Sequence, residues 1–420
     1  MENIGWRISG LMEGIEVETV TFQMIVEAAR NFRNIIKETD FCYSESLSDL
    51  TGGEVYLKLE NLQQSGSFKI RGAYNKMIHL SDEEKACGVV ASSAGNHAQG
   101  VAISATKLGI KSTIVMPKSA PFAKIYATRK YGGEVVLEGE VYDEAYQKAL
   151  EIKEATGATF VHPFNDPYVI AGQGTIGLEL LKEQPDLDVI LVPIGGGGIA
   201  SGIALAVKSI NPNIKVIGVQ TKNAPSMYES VRSGHIESIP VNKTIADGIA
   251  VGRPGDLTFP LIQQYVDEIV TVSETEISQA FLLLLENCNL VCEGAGAVSV
   301  AAMLSGQLDL KGQKVGAVLS GGNIDINLIE SIINHAMIAT GRRTEIKVSI
   351  NHKPGELSAF LNTIAEELGN VVVIRQSRHR EGVSMYDLEV TVVVETLDVE
   401  HKQRLIQKLI ETGYEIEYTN

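Results

Sequence analysis

The sequence of 420 residues contains little cysteine, few aromatic side chains and no long apolar run. Its four cysteines form no CxxC pair and are too few for a disulfide scaffold. No stretch approaches the roughly 18 apolar residues of a membrane span. The first residues also lack the apolar core of a signal peptide. These absences argue against a secreted or membrane protein, and we expect a cytoplasmic one.

Positive charge is scarce as well, since 36 Lys and Arg stand against 52 Asp and Glu and give a formal net charge of −16. Nucleic acids and anionic membranes bind basic surfaces, so neither is expected as a partner. Glycine is abundant, at 40 residues, and hydrophobic residues make up 44% of the chain. A chain of this size and composition can bury large cores and is long enough for roughly two or three domains.

Strand and helix patterns alternate along most of the chain, after a first helical pattern over residues 20–37. Short apolar runs precede small or turn residues, and helical spacing follows them. The predicted strands lie at residues 54–59, 88–91, 112–116, 134–137, 158–162, 188–194, 215–220 and 316–320. This alternation predicts an α/β protein with a mainly parallel sheet that is covered on both sides.

A small polar junction at residues 340–344 precedes a different pattern. The predicted elements beyond it are a strand at 345–350, a helix at 355–368, strands at 371–378 and 384–395, a helix at 398–411 and a strand at 413–418. The order βαββαβ is that of a ferredoxin-like unit. We therefore predict an irregular extension over residues 1–19, a larger domain over 20–339 and a C-terminal domain over 340–420.

The first of four segments with chemical potential is the lysine loop (residues 60–68), which leads into a helix near Lys69. Ser67 is a candidate N-cap residue for that helix. The N-terminus of a helix is positive, and partial burial adds to its effect, so the pKa of Lys69 is expected to fall. A lysine of lowered pKa is a better nucleophile. Most lysines are solvated surface charges, so this segment alone does not establish a site.

The second segment is the asparagine loop (residues 92–100), which reads SSAGNHAQG between a strand and a helix. Backbone N–H groups converge at such a helix start and form a cradle for a carboxylate. Asn96 can donate a hydrogen bond to an oxygen atom. His97 is either a catalytic base or a histidine held in a structural hydrogen bond.

The third segment is the glycine loop (residues 195–198), four glycines between an apolar strand and a helix. They permit close backbone approach to a phosphate at a helix N-terminus. The letters GGGGIA also fit a dinucleotide fingerprint, which requires an acid about 20 residues later. The next predicted strand ends at Gln220 and Thr221 without such an acid. The glycine loop is therefore interpreted as a phosphate site and not as an NAD site.

The fourth segment reads SGGN at residues 320–323 and ends a late strand. Ligands of open α/β sheets bind at the carboxyl ends of strands. Together the four segments supply an amine nucleophile, a carboxylate cradle, a phosphate site and a hydroxyl group. Pyridoxal phosphate needs this combination, because its aldehyde takes a lysine, its phosphate a glycine loop and its ring nitrogen one side chain.

On these four segments the chain resembles the threonine dehydratases, fold-type II pyridoxal-phosphate enzymes related to the tryptophan synthase β subunit. The resemblance covers about residues 20–335, with the segments in the family's order. It implies two α/β subdomains with the cofactor between them. It also implies removal of water from L-threonine, and from L-serine as a second substrate, to give 2-oxobutanoate or pyruvate and ammonia.

The same resemblance implies roles for single residues. Lys69 carries the cofactor and moves protons, and Phe68 lies against the ring. Asn96 bonds the phenolic oxygen, Ser320 faces the pyridine nitrogen, and the backbone of Gly248 passes close to the ring. The residues expected at the phosphate are Gly195, Gly196, Gly197 and Gly198. Those expected at the substrate carboxylate are Ser93, Ala94, Gly95, Asn96 and His97. No divalent metal is expected.

The C-terminal unit resembles an ACT domain, and residues 351–357 (NHKPGEL) match its first strand–helix loop. That resemblance implies pairing with a second copy and binding of a free amino acid as effector. A pairing module without a ligand is the alternative. A homo-oligomer, either a dimer or a tetramer, is expected by resemblance only.

Three other functions remain open at this point. Serine racemases, close relatives, have a serine where this chain has Ala94, and acids for a divalent metal where it has residues 220–226 without a carboxylate. Both differences favour a dehydratase. A non-enzymatic amino-acid sensor would not need Lys69 or the glycine loop, and a dehydrogenase would bind NAD. Glu293 is expected to cap a helix or to support the site without contacting the cofactor.

Overall fold

The computed structural model describes residues 20–377 and 386–419. Up to residue 318 the strands form two sheets, and helices alternate with them. The strands are β1 (Phe41–Tyr43), β2 (Glu54–Lys58), β3 (Val89–Ser92), β4 (Ser112–Met116), β5 (Glu134–Leu137), β6 (Thr159–Phe160), β7 (Val189–Pro193), β8 (Lys215–Thr221), β9 (Glu268–Val272) and β10 (Lys314–Val318).

The helices of this part pack on both sides of the sheets. They are α1 (Phe22–Asn31), α2 (Glu45–Thr51), α3 (Lys69–Ile78), α4 (Asp82–Cys87), α5 (Asn96–Leu108), α6 (Phe122–Lys130), α7 (Tyr142–Thr156), α8 (Pro167–Glu183), α9 (Gly198–Ile210), α10 (Ser226–Ser233), α11 (Thr258–Tyr265), α12 (Glu274–Asn287), α13 (Gly294–Leu304) and α14 (Ile326–Ala339). Among the described residues, no helix is both long and apolar enough to cross a membrane.

The larger sheet has six strands in the order β1-β2-β10-β7-β8-β9. All neighbours are parallel except β1, which runs antiparallel to β2. Every residue of β7 is buried, as expected of a central parallel strand that helices cover on both faces. The smaller sheet is wholly parallel, with the order β5-β4-β3-β6. The predicted α/β class, with mainly parallel sheets and two subdomains, is confirmed.

The C-terminal elements form a four-stranded antiparallel sheet in the order β12-β13-β11-β14. They are β11 (Arg343–Asn351), α15 (Glu356–Glu366), β12 (Asn370–Ser377), β13 (Asp387–Glu395), α16 (Val399–Glu411) and β14 (Ile416–Tyr418). Alternate residues of β13 are buried, so one face of the sheet packs on the two helices. The predicted βαββαβ order is confirmed, whereas the limits of the three predicted domains remain a prediction.

Several predicted element ends differ from the structure for local reasons. The first helix ends at Asn31 and not at residue 37, because turns follow and Asn34 has a φ of +63°. The last strand begins at Ile416, because Gly413 has a φ of +98° in the turn after α16. The predicted extension over residues 1–19 and the start of the predicted strand 384–395 lie outside the described residues.

Candidate active site

A cavity of about 890 Å³ lies between the two parallel sheets, where the carboxyl ends of β3, β7 and β10 meet. The fold thereby brings together segments that are far apart in the sequence. All of the sequence-predicted site residues line this cavity, namely Phe68, Lys69, Ser93, Ala94, Gly95, Asn96, His97, Gly195, Gly196, Gly197, Gly198, Gly248 and Ser320. Their arrangement agrees with the rule that ligands of parallel sheets bind at the carboxyl ends of the strands.

Lys69 is the first residue of α3, and its side chain enters the cavity. Its amine Nζ donates a hydrogen bond to the carbonyl oxygen of Pro163 at 2.9 Å. Burial lowers the pKa of Lys69 to about 8, and the negative charge of Glu293 opposes that change. The expected fall in the pKa is therefore present, with burial as its main cause. A larger fraction of this amine is uncharged near neutral pH than for an exposed lysine.

The predicted cap of α3 is wrong, because the residue at the cap position is Phe68 and no side chain caps the helix. Ser67 Oγ is buried and has no hydrogen-bond partner within the part of the chain that the structure describes. The backbone here is held by the end of β10 instead. Ser67 forms an isolated bridge with Gly321, and the N–H of Phe68 donates to the carbonyl of Ser320 at 3.1 Å.

The asparagine loop reaches the cavity from the end of β3. The N–H of Gly95 donates to Ser93 Oγ at 3.1 Å, which shapes the turn before α5. His97 is buried, and its Nε2 lies 2.8 Å from the carbonyl oxygen of Val161, so Nε2 carries the proton. Burial and the charge of Lys69 lower the pKa of His97 to about 3. The structural alternative for His97 therefore fits better than the catalytic base.

Asn96 has polar partners on two sides. Its Nδ2 donates to Glu293 Oε1 at 2.6 Å, and its Oδ1 accepts from Asn323 Nδ2 at 2.8 Å. Glu293 stands at the N-cap position of α13, but its side chain makes no capping hydrogen bond, so the capping expectation is wrong. Burial, with Asp247 nearby, raises the pKa of Glu293 to about 7. An acid among the small residues of CEGAGA is the only sequence signal for this position.

The glycine loop turns from β7 into α9, and its glycines are required by close neighbours. A Cβ atom on Gly196 would lie 2.4 Å from ring carbons of Phe164. Gly197 has a φ of +100°, and Thr258 Oγ1 donates to the carbonyl of Gly196 at 2.6 Å. In the described structure nothing accepts a hydrogen bond from the N–H groups of residues 195–197. Unpaired backbone donors at a helix N-terminus form an anion site.

Ser320 and Gly248 lie on either side of the start of α13. Ser320 is buried, and its Oγ donates a weak hydrogen bond to the carbonyl of Ala295 at 3.3 Å. A Cβ atom on Gly248 would lie 3.0 Å from Ala295 Cβ and 3.3 Å from Glu293 Oε1. Next to Gly248, Asp247 forms an ion pair with Lys124 of α6 at 2.8 Å. This pair joins elements from the two sheets at the rim of the cavity.

His162 also lines the cavity, although its position before Pro163 at the end of a predicted strand does not by itself indicate a site residue. Its Nδ1 accepts hydrogen bonds from the N–H groups of Phe164 and Asn165, at 3.2 and 2.8 Å. Nδ1 is therefore unprotonated, and the proton is on Nε2. Burial and the charge of Lys69 lower the pKa of His162 to about 4, so the ring is neutral near pH 7. This histidine fixes the segment that holds Pro163 against Lys69.

Three ion pairs outside the cavity lining hold helix α3. Arg71 bonds both oxygens of Glu60, at 2.7 and 2.9 Å, and reaches Glu179 at 2.8 Å. Lys58 Nζ lies 2.7 Å from Glu179 Oε2. The four charges cancel, and Lys58, Glu60 and Arg71 are fully buried. Helix α3, with Lys69 in its first turn, is thus tied to strand β2 and helix α8.

The chain is similar to known proteins over most of its length. The family model described as pyridoxal-phosphate dependent enzyme matches residues 32–321. The L-threonine ammonia-lyase of Thermotoga maritima is 53% identical over 397 residues, which are 94% of this chain and 99% of that protein. A solved structure of threonine deaminase isoform 2 from Solanum lycopersicum is 40% identical with a TM-score of 0.73, over 75% of this chain and 93% of its own. Maize serine racemase is 37% identical with a TM-score of 0.72, over 76% and 98%.

The chain belongs to the family of pyridoxal-phosphate-dependent enzymes, and its paired parallel sheets are those of fold-type II. Pyridoxal phosphate is accordingly its cofactor. The residues present fit this group. The unpaired N–H groups of residues 195–197 suit a phosphate, and the buried amine of Lys69 suits an aldehyde. The hydroxyl of Ser320 is a neutral partner for a ring nitrogen.

Proposed function

We propose that this protein is a threonine ammonia-lyase, which converts L-threonine to 2-oxobutanoate and ammonia and L-serine to pyruvate and ammonia. One observation carries the proposal. The buried amine of Lys69 shares a single cavity with the unpaired N–H groups of the glycine loop and with the asparagine loop. Nucleophile, phosphate site and carboxylate cradle therefore face the same volume.

The protein side of the reaction follows from these positions. When bound, pyridoxal phosphate supplies an aldehyde that links to an amine and a ring that accepts electron density from the substrate Cα. The glycine loop would hold the phosphate, and Asn96 Nδ2 would donate to the phenolic oxygen. Phe68 and the backbone of Gly248 would lie close to the ring. Ser320 would meet the ring nitrogen without a full negative charge.

Lys69 would then act as the base. Its Nζ, when free, would accept the proton from the substrate Cα. A pKa of about 8 suits an amine that must be uncharged for this step near neutral pH. Residues 93–97 would hold the substrate carboxylate through the N–H groups of Ala94, Asn96 and His97, since those of Ser93 and Gly95 already donate to Val115 and Ser93 Oγ. This contact would fix Cα next to the amine. Lys69 Nζ would then give that proton to the departing β-hydroxyl, so that the Cβ–O bond breaks, a Cα–Cβ double bond forms and water leaves. The released enamine takes up water and gives the oxoacid and ammonia.

A racemase is the second candidate, and the site disfavours it. Racemisation needs a second acid or base on the other face of Cα. The residue expected to supply it is Ala94, whose methyl group has no exchangeable proton. Sequence identity is also 53% with the threonine ammonia-lyase and 37% with the serine racemase. A pocket that prefers threonine gains only about 1–3 kcal/mol from the extra methyl group, so serine is expected as a second substrate.

The C-terminal unit and the assembly also belong to this proposal. Residues 340–420 would form an ACT-like regulatory domain, separate from the domain over 20–339. An amino-acid effector would bind where two such units pair, and the enzyme would be a homodimer or homotetramer. A cytoplasmic location accords with the substrate. The order βαββαβ and the bidentate contact of Arg342 with Glu286, at 2.8 and 2.9 Å, support a docked regulatory unit.

An absorbance scan followed by an assay of 2-oxobutanoate release from L-threonine tests the proposal. The wild type should show a band at about 410–420 nm and form the oxoacid. Lys69→Ala should lose both. Lys76→Ala is the matched control, because Lys76 lies on the same helix but pairs with Asp166 away from the cavity. A wild type with neither band nor turnover would refute the proposal and leave an amino-acid sensor as the better interpretation.

A further inference from the structure

We propose that Asn323 is a positioning residue, which orients the amide of Asn96 so that its N–H group faces the cofactor cavity. The proposal rests on the proposed function, because Asn96 is there assigned to the phenolic oxygen. Asn323 does not line the cavity itself and therefore acts through Asn96.

The orientation of the Asn323 amide is set by a backbone carbonyl. Asn323 Nδ2 lies 2.7 Å from the carbonyl oxygen of Ser65. A carbonyl oxygen can only accept a hydrogen bond, so the nitrogen of the amide must face it. The same nitrogen lies 2.8 Å from Asn96 Oδ1 and donates its second hydrogen there. Both hydrogens of the Asn323 amide are thereby used.

The orientation of Asn96 follows directly. Because Asn96 Oδ1 accepts from Asn323, Nδ2 must be on the other side of the amide. One of its hydrogens goes to Glu293 Oε1 at 2.6 Å, which leaves the other for the cavity. If the Asn96 amide were reversed, its oxygen would face the carboxylate of Glu293, and its nitrogen would face Asn323 Nδ2. The direction of donation from Asn323 thus decides that Asn96 offers a donor to a cofactor oxygen.

The Asn323 side chain has little room to turn away. A Cβ atom on Gly66 would lie 2.2 Å from Asn323 Oδ1, so the oxygen rests directly on this glycine. Gly66 has a φ of +72°, and its carbonyl accepts from the N–H of Gly322 at 2.8 Å. The last residue of the SGGN segment is therefore held by the lysine loop and in turn holds the asparagine loop. Three separate segments meet at one amide.

Asn323→Asp is the sharpest substitution, because it keeps the shape and replaces the donor by an acceptor. The new oxygen would face the carbonyl of Ser65 and Asn96 Oδ1, and Asn96 is expected to reverse. Titration of the cofactor-free protein with pyridoxal phosphate should then give a dissociation constant about tenfold higher or more. Asn327→Asp is the matched control, since it adds the same charge on α14, where Asn327 donates to Asp325 and does not line the cavity. It should leave the constant unchanged.

A double-mutant cycle separates positioning from general support of the fold. Asn96→Ala, Asn323→Ala and the double variant are compared by cofactor dissociation constant and by urea unfolding of the cofactor-free protein. If Asn323 acts through Asn96, its substitution changes the dissociation constant no further once Asn96 is alanine. The two substitutions should also be coupled in the unfolding midpoints. If the effects of the two single substitutions on the dissociation constant simply multiply in the double variant, the inference is overturned.

The two proposals can fail separately. A wild type that binds no pyridoxal phosphate refutes the proposed function and the cofactor part of this inference together. Coupling in urea unfolding does not involve the cofactor and still decides whether the two asparagines interact. A wild type that binds the cofactor while Asn323→Asp binds it equally well overturns the inference and leaves the proposed function intact.

Discussion

The ring of Phe164 fills the space that a Cβ atom on Gly196 would need, with ring carbons 2.4 Å from that position. The proposed phosphate site is therefore shaped from outside by residues 162–165 as well as by its own glycines. His162 holds this segment through two backbone hydrogen bonds, and Pro163 contacts the Lys69 amine. The nucleophile and the phosphate site share one support.

Gly196→Ala should weaken cofactor binding because the added methyl group must displace the Phe164 ring. Overpacking of this kind costs about 1–3 kcal/mol in the free energy of unfolding. The measurements are the dissociation constant of pyridoxal phosphate and the unfolding midpoint. Phe164→Ala should restore part of the loss in Gly196→Ala, and no restoration would contradict this explanation.

Glu293 should make the stability of the cofactor-free protein fall between pH 4.5 and pH 7. Its pKa rises from 4.5 to about 7 on folding, so in this range the folded protein binds more protons than the unfolded chain. The free energy of unfolding then decreases with pH, by at most about 1.4 kcal/mol per pH unit. Urea unfolding at several pH values should show this decrease in the wild type and lose its Glu293 share in Glu293→Gln. Identical pH profiles of the free energy of unfolding in the wild type and Glu293→Gln would disprove this prediction.

The rate at which the cofactor-free protein takes up pyridoxal phosphate should rise with pH and reach half its plateau near pH 8. The uncharged amine of Lys69 is the reacting species, and its pKa is about 8. The negative charge of Glu293 raises that pKa, so Glu293→Gln should move the midpoint to lower pH. Stopped-flow absorbance provides the rates. A midpoint near the ordinary value of 10.5 would show that the amine is not buried as described.

Arg71→Ala should destabilise the protein by about 3–5 kcal/mol, because it leaves the buried carboxylate of Glu60 and the half-buried carboxylate of Glu179 with only Lys58 as a cation. Urea unfolding of the cofactor-free protein measures this loss. Arg232→Ala removes an exposed partner of Glu229 and should change the free energy of unfolding by less than about 0.5 kcal/mol. Equal losses in the two variants would mean that the buried cluster adds nothing.

The positions of the four site segments could be predicted from the sequence, for a physical reason. Glycines before a helix and small polar residues after a strand are local signals, and parallel strands bring their carboxyl ends to one edge. Lys69, Asn96 and Ser320 could thus be expected in one site. The start of α3 could not be predicted in the same way. It depends on the backbone at Phe68, which is held by hydrogen bonds to the residues that follow β10.

Partners distant in sequence were also beyond prediction. Asn323 and Glu293 reach Asn96 across 227 and 197 residues, and each would pass in isolation for a turn or cap residue. His162 is held by hydrogen bonds from two backbone N–H groups, and only the folded segment shows where these groups point. The strand pattern alone likewise does not show that the strands form two sheets, since this depends on which strands pair: β2 joins β10 and not β3, the next strand along the chain.

The pairing of β2 with β10 also governs when this protein can become active during its synthesis. Lys58 of β2 lies beside Val318 of β10 in the sheet, and the N–H of Phe68 donates to the carbonyl of Ser320. The lysine loop therefore lacks its support until β10 has been synthesised. At about 5–20 residues per second, β2 waits on the order of 10–50 s on the ribosome for this partner. The nascent chain can therefore bind the cofactor only late in its synthesis. A chain truncated before residue 320 would have both glycine and asparagine loops and still no site.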